Sequence, residues 1–245
     1  MAAILASFSV AATAQRLSLG VICDRWPPYQ IVEGNQISGF SAEIVKMVFE
    51  RMNIEFVSMK AYPWNRAIKM MGNGTADALF SANYTKDRTE FAYYPKGTIV
   101  DSPWVMWVRK ESGLKFESLN DLIGKRVGMV RGYSYTSDFR DFIRTHTLFE
   151  EVASDEQNFR KLNGGRVHYI VAELRNGAHI VRSLGFDGII PLDKDPVKFD
   201  GLYLIFNKRN VPRSLVDQFS VELGKLKQEP VYKALYEKYF LLQLN

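Results

Sequence analysis

Strand-like and helix-like segments alternate twice along this chain, and their order constrains the fold more than any other feature of the sequence. Parallel strands are joined by long crossovers, usually helices, so each alternation predicts a mostly parallel sheet flanked by helices. The first alternation predicts strands at Leu17–Cys23, 54–59 and 76–81, a helix at 41–52 with Ser41 as its N-cap, and a second helix at 63–71 that begins at Pro63.

The second alternation begins near residue 118 and uses shorter elements. It predicts strands at 125–130, 151–152, 168–172 and 188–191, and helices at 134–144, 154–162 and 174–184. Two apolar, strand-like segments, 102–109 and 202–207, lie where the chain passes from one alternation to the other and back. The helices predicted from Pro212 and from Pro230 would complete the first unit.

We therefore predict an α/β fold of two lobes, each a mostly parallel sheet flanked by helices, joined by a two-strand hinge. Lobe 1 comprises residues 15–104 plus 204–245, and lobe 2 comprises residues 105–203. Ligands of open α/β sheets bind beyond the carboxyl ends of the strands, so the cleft between the lobes is the expected site. This rule selects the loops after Cys23, Phe80 and Val130 as candidates.

Residues 1–14 have the character of a signal peptide, because MAAILASFSVAATA is apolar and ends in an A-x-A cleavage pattern. Cleavage would leave Gln15 as the first residue, and we expect a soluble, secreted protein. No Lys or Arg precedes the apolar segment. Three explanations therefore stay open: a true start further upstream, an atypical signal, or a buried N-terminal helix.

The charge distribution argues against nucleic acid as a partner. The 32 basic and 27 acidic residues give a net charge of +5, but the basic residues are scattered rather than clustered on one element. Cys23 is the only cysteine, so no intrachain disulfide can form. The sequence has no phosphate-binding glycine loop and no nucleophile elbow, and its three histidines lack the spacing of metal ligands. We expect neither a metal nor a cofactor.

The loop after Phe80 is rich in hydrogen-bond donors and ends at Arg88. Arginine stays charged and its planar fork matches a carboxylate in two parallel hydrogen bonds. The Ser81 hydroxyl and the backbone amides of the loop could add to this contact. The alternative is that Arg88 is a surface residue paired with Asp87 or Glu90.

The loop after Val130 combines a strand end, a glycine turn and a hydroxyl-rich segment. The amides of Ser134 and Tyr135 could form an anion-binding nest there, although plain N-capping would explain the hydroxyls equally well. Trp26 and Trp64 could line an apolar ligand face or could simply be core residues. Glu173 ends a predicted strand, where its carboxylate could bind a ligand ammonium group or could stabilise a helix N-terminus.

At these loops the sequence resembles the bacterial extracellular solute-binding proteins of family 3, which are periplasmic amino-acid-binding proteins of ATP-driven (ABC) importers. The resemblance extends from about Leu17 to Phe240. Its landmarks are Trp26-Pro27-Pro28-Tyr29, Gly39-Phe40, Pro63-Trp64-Asn65-Arg66-Ala67, Gly74-Thr75-Ala76-Asp77, Thr85-Lys86-Asp87-Arg88 and Gly124-Lys125-Arg126-Val127-Gly128.

The resemblance implies the periplasmic-binding-protein fold and a role for each matched position. Arg88 matches the arginine that binds the ligand α-carboxylate, and Glu173 matches the acidic residue that receives the α-ammonium group. The other implied contacts are hydroxyl and backbone groups at Ser81 and Asn83, second-lobe amides at Ser134 and Tyr135, and aromatic walls at Trp26 and Trp64.

The implied function is capture of a small, amino-acid-like ligand and its delivery to an ABC transporter membrane permease by a monomer that is not an enzyme. Two alternatives stay open. Cyclohexadienyl dehydratases resemble this family and use a cleft carboxylate for proton transfer, which would make Glu173 the acid or base. Alternatively, the protein could be the ligand-sensing partner of a separate receptor, which its two lobes would signal to by closing on the ligand. The sequence also departs from the family pattern at Ser41, Ala82 and His168, which leaves the ligand open.

Overall fold

The structure is a computed structural model that describes residues 17–241. The predicted signal peptide at 1–14 lies outside the described residues. Twelve strands are described: β1 Leu17–Cys23, β2 Ile31–Glu33, β3 Gln36–Ser38, β4 Ile54–Ala61, β5 Ala78–Ala82, β6 Ala92–Tyr93, β7 Val100–Arg109, β8 Arg126–Val130, β9 Leu148–Val152, β10 Tyr169–Glu173, β11 Ile189–Leu192 and β12 Lys198–Asn207. Seven α-helices accompany them: α1 Phe40–Arg51, α2 Trp64–Asn73, α3 Ser137–His146, α4 Asp155–Asn163, α5 Leu174–Ser183, α6 Arg213–Leu226 and α7 Pro230–Tyr236.

The strands follow the predicted alternation and build two parallel sets. In the first, β4, β1 and β5 are parallel neighbours, and in the second, β10, β8 and β9 are parallel neighbours. The continuous strand order is β4-β1-β5-β12-β7-β10-β8-β9, with β6 paired to β12 and β11 paired to β7. The prediction of an α/β fold with a mostly parallel sheet in each half is confirmed.

β7 and β12 join the two sets by antiparallel pairing. Residues 198–202 of β12 pair with residues 100–104 of β7, and the following part of β12 pairs with β5. The far half of β7 pairs instead with β10 and β11. Each of these strands therefore belongs to both halves of the sheet, as expected of a two-strand hinge. The predicted lobe boundaries at residues 104 and 204 stay a prediction.

The C-terminal helices pack on the first half of the sheet, as the sequence predicts. α6 places Phe219 between Phe49 of α1 and Phe206 of β12, with ring centroids 5.6 and 5.2 Å apart. These rings belong to an apolar core that extends through the hinge to Val171 of β10. No helix within residues 17–241 is long and apolar enough to cross a membrane.

Ser41 is not the N-cap of α1, and this prediction is wrong. The helix begins at Phe40 and its N-cap is Gly39, which has a φ of 105°. A Cβ at Gly39 would lie 2.6 Å from the Tyr29 carbonyl oxygen, so the close approach of two backbone segments requires glycine. Ser41 is buried in the first turn, where its hydroxyl has no hydrogen-bond partner among the described residues.

The third helix also begins later than predicted, at Ser137 rather than at Ser134. Its N-cap is Thr136, whose hydroxyl oxygen accepts a hydrogen bond from the Phe139 amide at 3.3 Å. A side-chain cap of this kind satisfies one of the free amides in the first turn. Residues 131–135 are therefore a loop at the end of β8, which places them beside the cleft.

The packing of α6 predicts a large difference between two positions on that helix. Phe219→Ala should lower the free energy of unfolding by about 3–5 kcal/mol, because it removes a fully buried ring between two others. Val221→Ala, at a position of the same helix that is 55% exposed, should change the free energy of unfolding by less than about 0.5 kcal/mol. Urea denaturation of both variants measures the difference, and equal effects would contradict this packing.

Candidate functional site

The candidate site is assembled from loops that follow the parallel strands of both halves. The first half contributes the segments after β1, β4 and β5, and the second half contributes the segments after β8, β9 and β10. These loops meet because the carboxyl ends of both parallel sets face the cleft beside the hinge. The arrangement agrees with the general rule for ligand sites in open α/β sheets.

Two adjoining cavities occupy this cleft and share Asp24, Trp26, Trp64 and Tyr133 in their walls. The larger cavity has a volume of about 440 Å³, within the range of small-molecule sites. Its further lining comes from both halves of the molecule: Arg25, Pro27, Ala61, Tyr62, Pro63, Ala153, Ser154, Asp155, Glu156, Asn176, His179, Ile180 and Ser183. The smaller cavity has a volume of about 20 Å³ and is lined in addition by Ser81, Asn83, Trp104 and Ser134.

The predicted anion-binding residues lie at or next to the smaller cavity. Arg88 is buried, and its guanidinium donates to the Asn83 carbonyl at 2.9 Å and lies 5.1 Å from the centre of the Trp64 ring. Burial lowers the pKa of Arg88, but an arginine this basic remains charged. The alternative of a surface arginine paired with Asp87 or Glu90 is wrong, because Arg88 is only 7% exposed and its hydrogen bond goes to Asn83.

Ser81 lies in the wall of the smaller cavity with a backbone conformation that serine rarely adopts. Its φ is 63°, in the left-handed region, and its hydroxyl donates to the Gln30 side chain at 2.7 Å. Backbone strain of this kind concentrates at binding sites, where the surrounding structure holds it. Gln30 in turn donates to Asp24 at 2.9 Å, so one hydrogen-bond chain links Ser81 to the shared wall of both cavities.

Several hydrogen bonds cross the cleft. The Trp64 indole donates to the Gly132 carbonyl at 3.1 Å, and the Ser134 hydroxyl donates to the Asn83 side chain at 3.4 Å. Gly132 has a φ of 82°, and a Cβ there would lie 2.0 Å from Asn65 Oδ1. A side chain at Gly132 would therefore hold the two halves apart in this closed arrangement.

Tyr135 and Glu173 have partners within the protein in this arrangement. The Tyr135 hydroxyl accepts a hydrogen bond from the Val130 amide at 2.9 Å, inside the second half. Glu173 is fully buried and lines neither cavity; it accepts from the Tyr29 hydroxyl at 2.8 Å and, as the N-cap of α5, from the Asn176 amide at 2.7 Å. The ligand contacts predicted for both residues stay predictions.

Two carboxylates face the larger cavity instead. Asp155 is 4% exposed; its Oδ2 accepts from the Trp26 indole at 3.0 Å and from the Tyr133 hydroxyl at 2.9 Å. Burial, together with the nearby charge of Asp24, raises the pKa of Asp155 to about 6. Burial likewise raises the pKa of Asp24 to about 6 and that of Glu173 to about 7.

Trp26 and Trp64 lie in the walls of both cavities, and their contact with a ligand stays a prediction. Asp155, Tyr133 and Trp104 also line the cavities but were not predicted from the sequence. Asp155 could have been found, since it directly follows the predicted cap Ser154 at the carboxyl end of a parallel strand. Within residues 17–241 no cluster of three or more His, Cys, Asp or Glu side chains is placed to hold a metal ion.

Comparison with known proteins identifies the family. The model for bacterial extracellular solute-binding proteins, family 3, matches residues 19–242, and the chain therefore belongs to that family. "ABC transporter arginine-binding protein 1" of Escherichia coli (strain K12) is 22% identical over 245 residues, which cover 98% of this chain and 97% of the relative.

Solved structures share the fold. A mutant of ArgBP from T. maritima has a TM-score of 0.77 at 19% identity, with 91% of this chain and 95% of that chain covered. An ancestral amino acid-binding protein, described as a precursor of cyclohexadienyl dehydratase, has a TM-score of 0.76 at 18% identity, with 91% and 95% covered. The predicted two-lobed binding-protein fold is confirmed.

The raised carboxyl pKa values predict an unusual pH dependence for the ligand-free protein. A carboxyl group with a higher pKa in the folded state binds protons preferentially there, so stability is lost as the pH rises through the folded pKa and is regained on acidification. Melting temperature should therefore increase between pH 7 and pH 5.

Asp155→Asn isolates one contribution to this dependence. Because the parent gains stability from Asp155 protonation and the variant cannot, the free-energy difference between them should change by about 1 kcal/mol between pH 7 and pH 5 in favour of the parent. Asp195→Asn, at an exposed position, serves as the control. Denaturation at both pH values tests this, and parallel profiles for the Asp155 variant and the parent would contradict the burial of this charge.

Proposed function

We propose that this protein captures a small amino-acid-like ligand in the cleft and delivers it to an ABC-type permease from the extracytoplasmic side, in the periplasm. The observation that carries the proposal is a cavity lined by residues from both halves, at a hinge of two strands. Membership of the solute-binding family and the name of the E. coli relative support a ligand of this class.

The cavity position supports a mechanism of ligand-dependent closure. A ligand that contacts both halves stabilises the closed state more than the open state, and this difference in binding free energy drives closure. Trp26 and Asp155 come from opposite sides of the cleft and are already joined by a hydrogen bond at 3.0 Å. The closed surface, formed by both lobes, would then be the surface that a permease recognises.

Arg88 is the proposed anchor for the ligand carboxylate. Its guanidinium is buried next to the smaller cavity, where it donates to the carbonyl of Asn83, a residue that lines that cavity. Ser81, Asn83 and Ser134 line that cavity and would supply further polar contacts from both halves. Trp26 and Trp64 would form the apolar walls of the ligand site.

The geometry weakens the dehydratase alternative. In that alternative Glu173 would transfer the proton. The Glu173 carboxylate, however, lines neither cavity and accepts hydrogen bonds from Tyr29 and Asn176. Binding without turnover is therefore the proposal. Conversion of prephenate or arogenate that is lost in Glu173→Gln would establish the enzyme instead. A sensing partner would bind the same ligand, and a pull-down with the permease distinguishes transport from sensing.

Arg88→Ala should weaken binding of an amino acid ligand by about a hundredfold or more, because it removes a buried, charge-assisted contact to the carboxylate. The ligand is first identified by a thermal-shift screen of the L-amino acids, and its affinity is then measured by titration calorimetry. Arg213→Ala, at a half-exposed arginine on α6, should leave the affinity unchanged.

Arg88→Lys provides a second variant in case the alanine substitution disturbs folding. Lysine keeps the charge but loses the planar fork, so an intermediate loss of affinity is expected. The melting temperature of each ligand-free variant reports whether it is folded. A folded Arg88→Ala protein that binds the amino acid as tightly as the parent would contradict the anchor.

A further inference from the structure

Asp155 has one carboxylate oxygen that the protein itself does not satisfy. Its Oδ2 accepts two hydrogen bonds, whereas its Oδ1 is buried and has no hydrogen-bond partner among the described residues. Buried polar atoms are paired in the great majority of protein structures, and an unpaired carboxylate oxygen is unfavourable. Because Asp155 lines the larger cavity, this unpaired acceptor belongs to a side chain that a bound molecule would contact, and a donor from that molecule would satisfy it.

The charges around this oxygen favour a positively charged donor. Asp24 lines the same cavity, and its negative charge contributes to the raised pKa of Asp155, so two buried carboxylates would both attract a cation. The salt bridges described within residues 17–241 involve neither of these two carboxylates. Glu156, the remaining acidic residue of the lining, is bound to Arg160 on its own helix.

Aromatic rings complete the surroundings. Trp26 and Tyr133 both donate to Asp155, and their ring centroids are 6.4 Å apart. Tyr62 and Trp64 contribute two further rings to the wall of the larger cavity. Aromatic rings with carboxylates beside them are a common environment for organic cations, because the ring quadrupole attracts positive charge.

The two cavities differ in their polar lining. The smaller one is lined by Ser81, Asn83 and Ser134 and lies next to buried Arg88, whereas Asp155 lines only the larger one, and Asp24 lies in the wall of both. Their shared wall makes them adjacent sections of one cleft. A molecule with a carboxylate at one end and a cation at the other matches both sections.

We propose that Asp155, supported by Asp24, binds a guanidinium or ammonium group of the ligand and thereby makes the protein selective for cationic amino acids. The placement of the ligand carboxylate beside Arg88 rests on the proposed function, whereas the cation subsite rests on the unpaired oxygen of Asp155. Asp155 begins α4 in the second half of the molecule. The same contact would therefore pull that half toward the first and couple cation recognition to closure.

Paired ligands that differ only in charge test the proposal without any mutation. L-citrulline is a neutral analogue of L-arginine, and L-norleucine is a neutral analogue of L-lysine. Titration calorimetry of the parent should give at least about tenfold tighter binding for one cationic member than for its neutral partner, the range expected for a hydrogen bond to a charged group. Equal affinity within both pairs, or no binding of any of the four, overturns the proposal.

Asp155→Asn assigns the selectivity to this residue. The variant should bind the cationic ligand about as weakly as its neutral analogue, while its affinity for the neutral analogue stays within about threefold of the parent value. Asp195→Asn should keep the full selectivity. Asp155→Ser serves as a second variant, with the melting temperature as a check of folding. Full selectivity in either folded Asp155 variant overturns the proposal.

Agmatine, which is arginine without its carboxylate, separates this proposal from the one on which it rests. If agmatine binds as tightly as arginine and Asp155→Asn weakens both, the cation subsite stands and the Arg88 anchor fails. If citrulline binds as tightly as arginine and Arg88→Ala weakens both, the anchor stands and the cation subsite fails.

Discussion

The antiparallel pairing of β7 with β12 is the constraint on which the rest of the structure depends. Residues 100–104 and 198–202 form the only ladder between β7 and β12 in the described chain, and beyond it each strand continues into a different parallel set. This arrangement points the carboxyl ends of both sets at one cleft. The polar residues of the candidate site follow from that geometry, because they lie at the carboxyl ends of parallel strands or in the loops and helices that follow them.

Burial in the cleft has opposite consequences for stability and for binding. Asp24 and Asp155 are removed from water, which disfavours their ionised forms and lowers the stability of the ligand-free protein near neutral pH. The same burial strengthens their attraction for a positive charge that enters the cavity. Burial of these carboxylates therefore lowers the free energy of unfolding but prepares the site to bind a cation, a trade-off that is common at functional sites.

The sequence predicted the order and type of the elements well, because hydrophobic spacing reports directly on strands and helices. It failed where the decisive neighbour was distant. Gly39 rather than Ser41 caps α1 because the backbone at Tyr29 leaves no space for a side chain. The Tyr29 hydroxyl also donates to the carboxylate of Glu173, which lies 144 residues further along the chain. The position of Asp155 after the cap Ser154 marks it as a candidate, but its burial depends on contacts such as the one with Trp26, 129 residues away in the sequence.

The most direct test of the account is a crystal structure of the protein with L-arginine in the cleft. In this complex the ligand carboxylate should accept two hydrogen bonds of about 3 Å from Arg88, and the ligand guanidinium should donate to Asp155 Oδ1. Both halves of the molecule should contact the ligand. A complex in which the carboxylate lies away from Arg88 and the guanidinium points to solvent would contradict it.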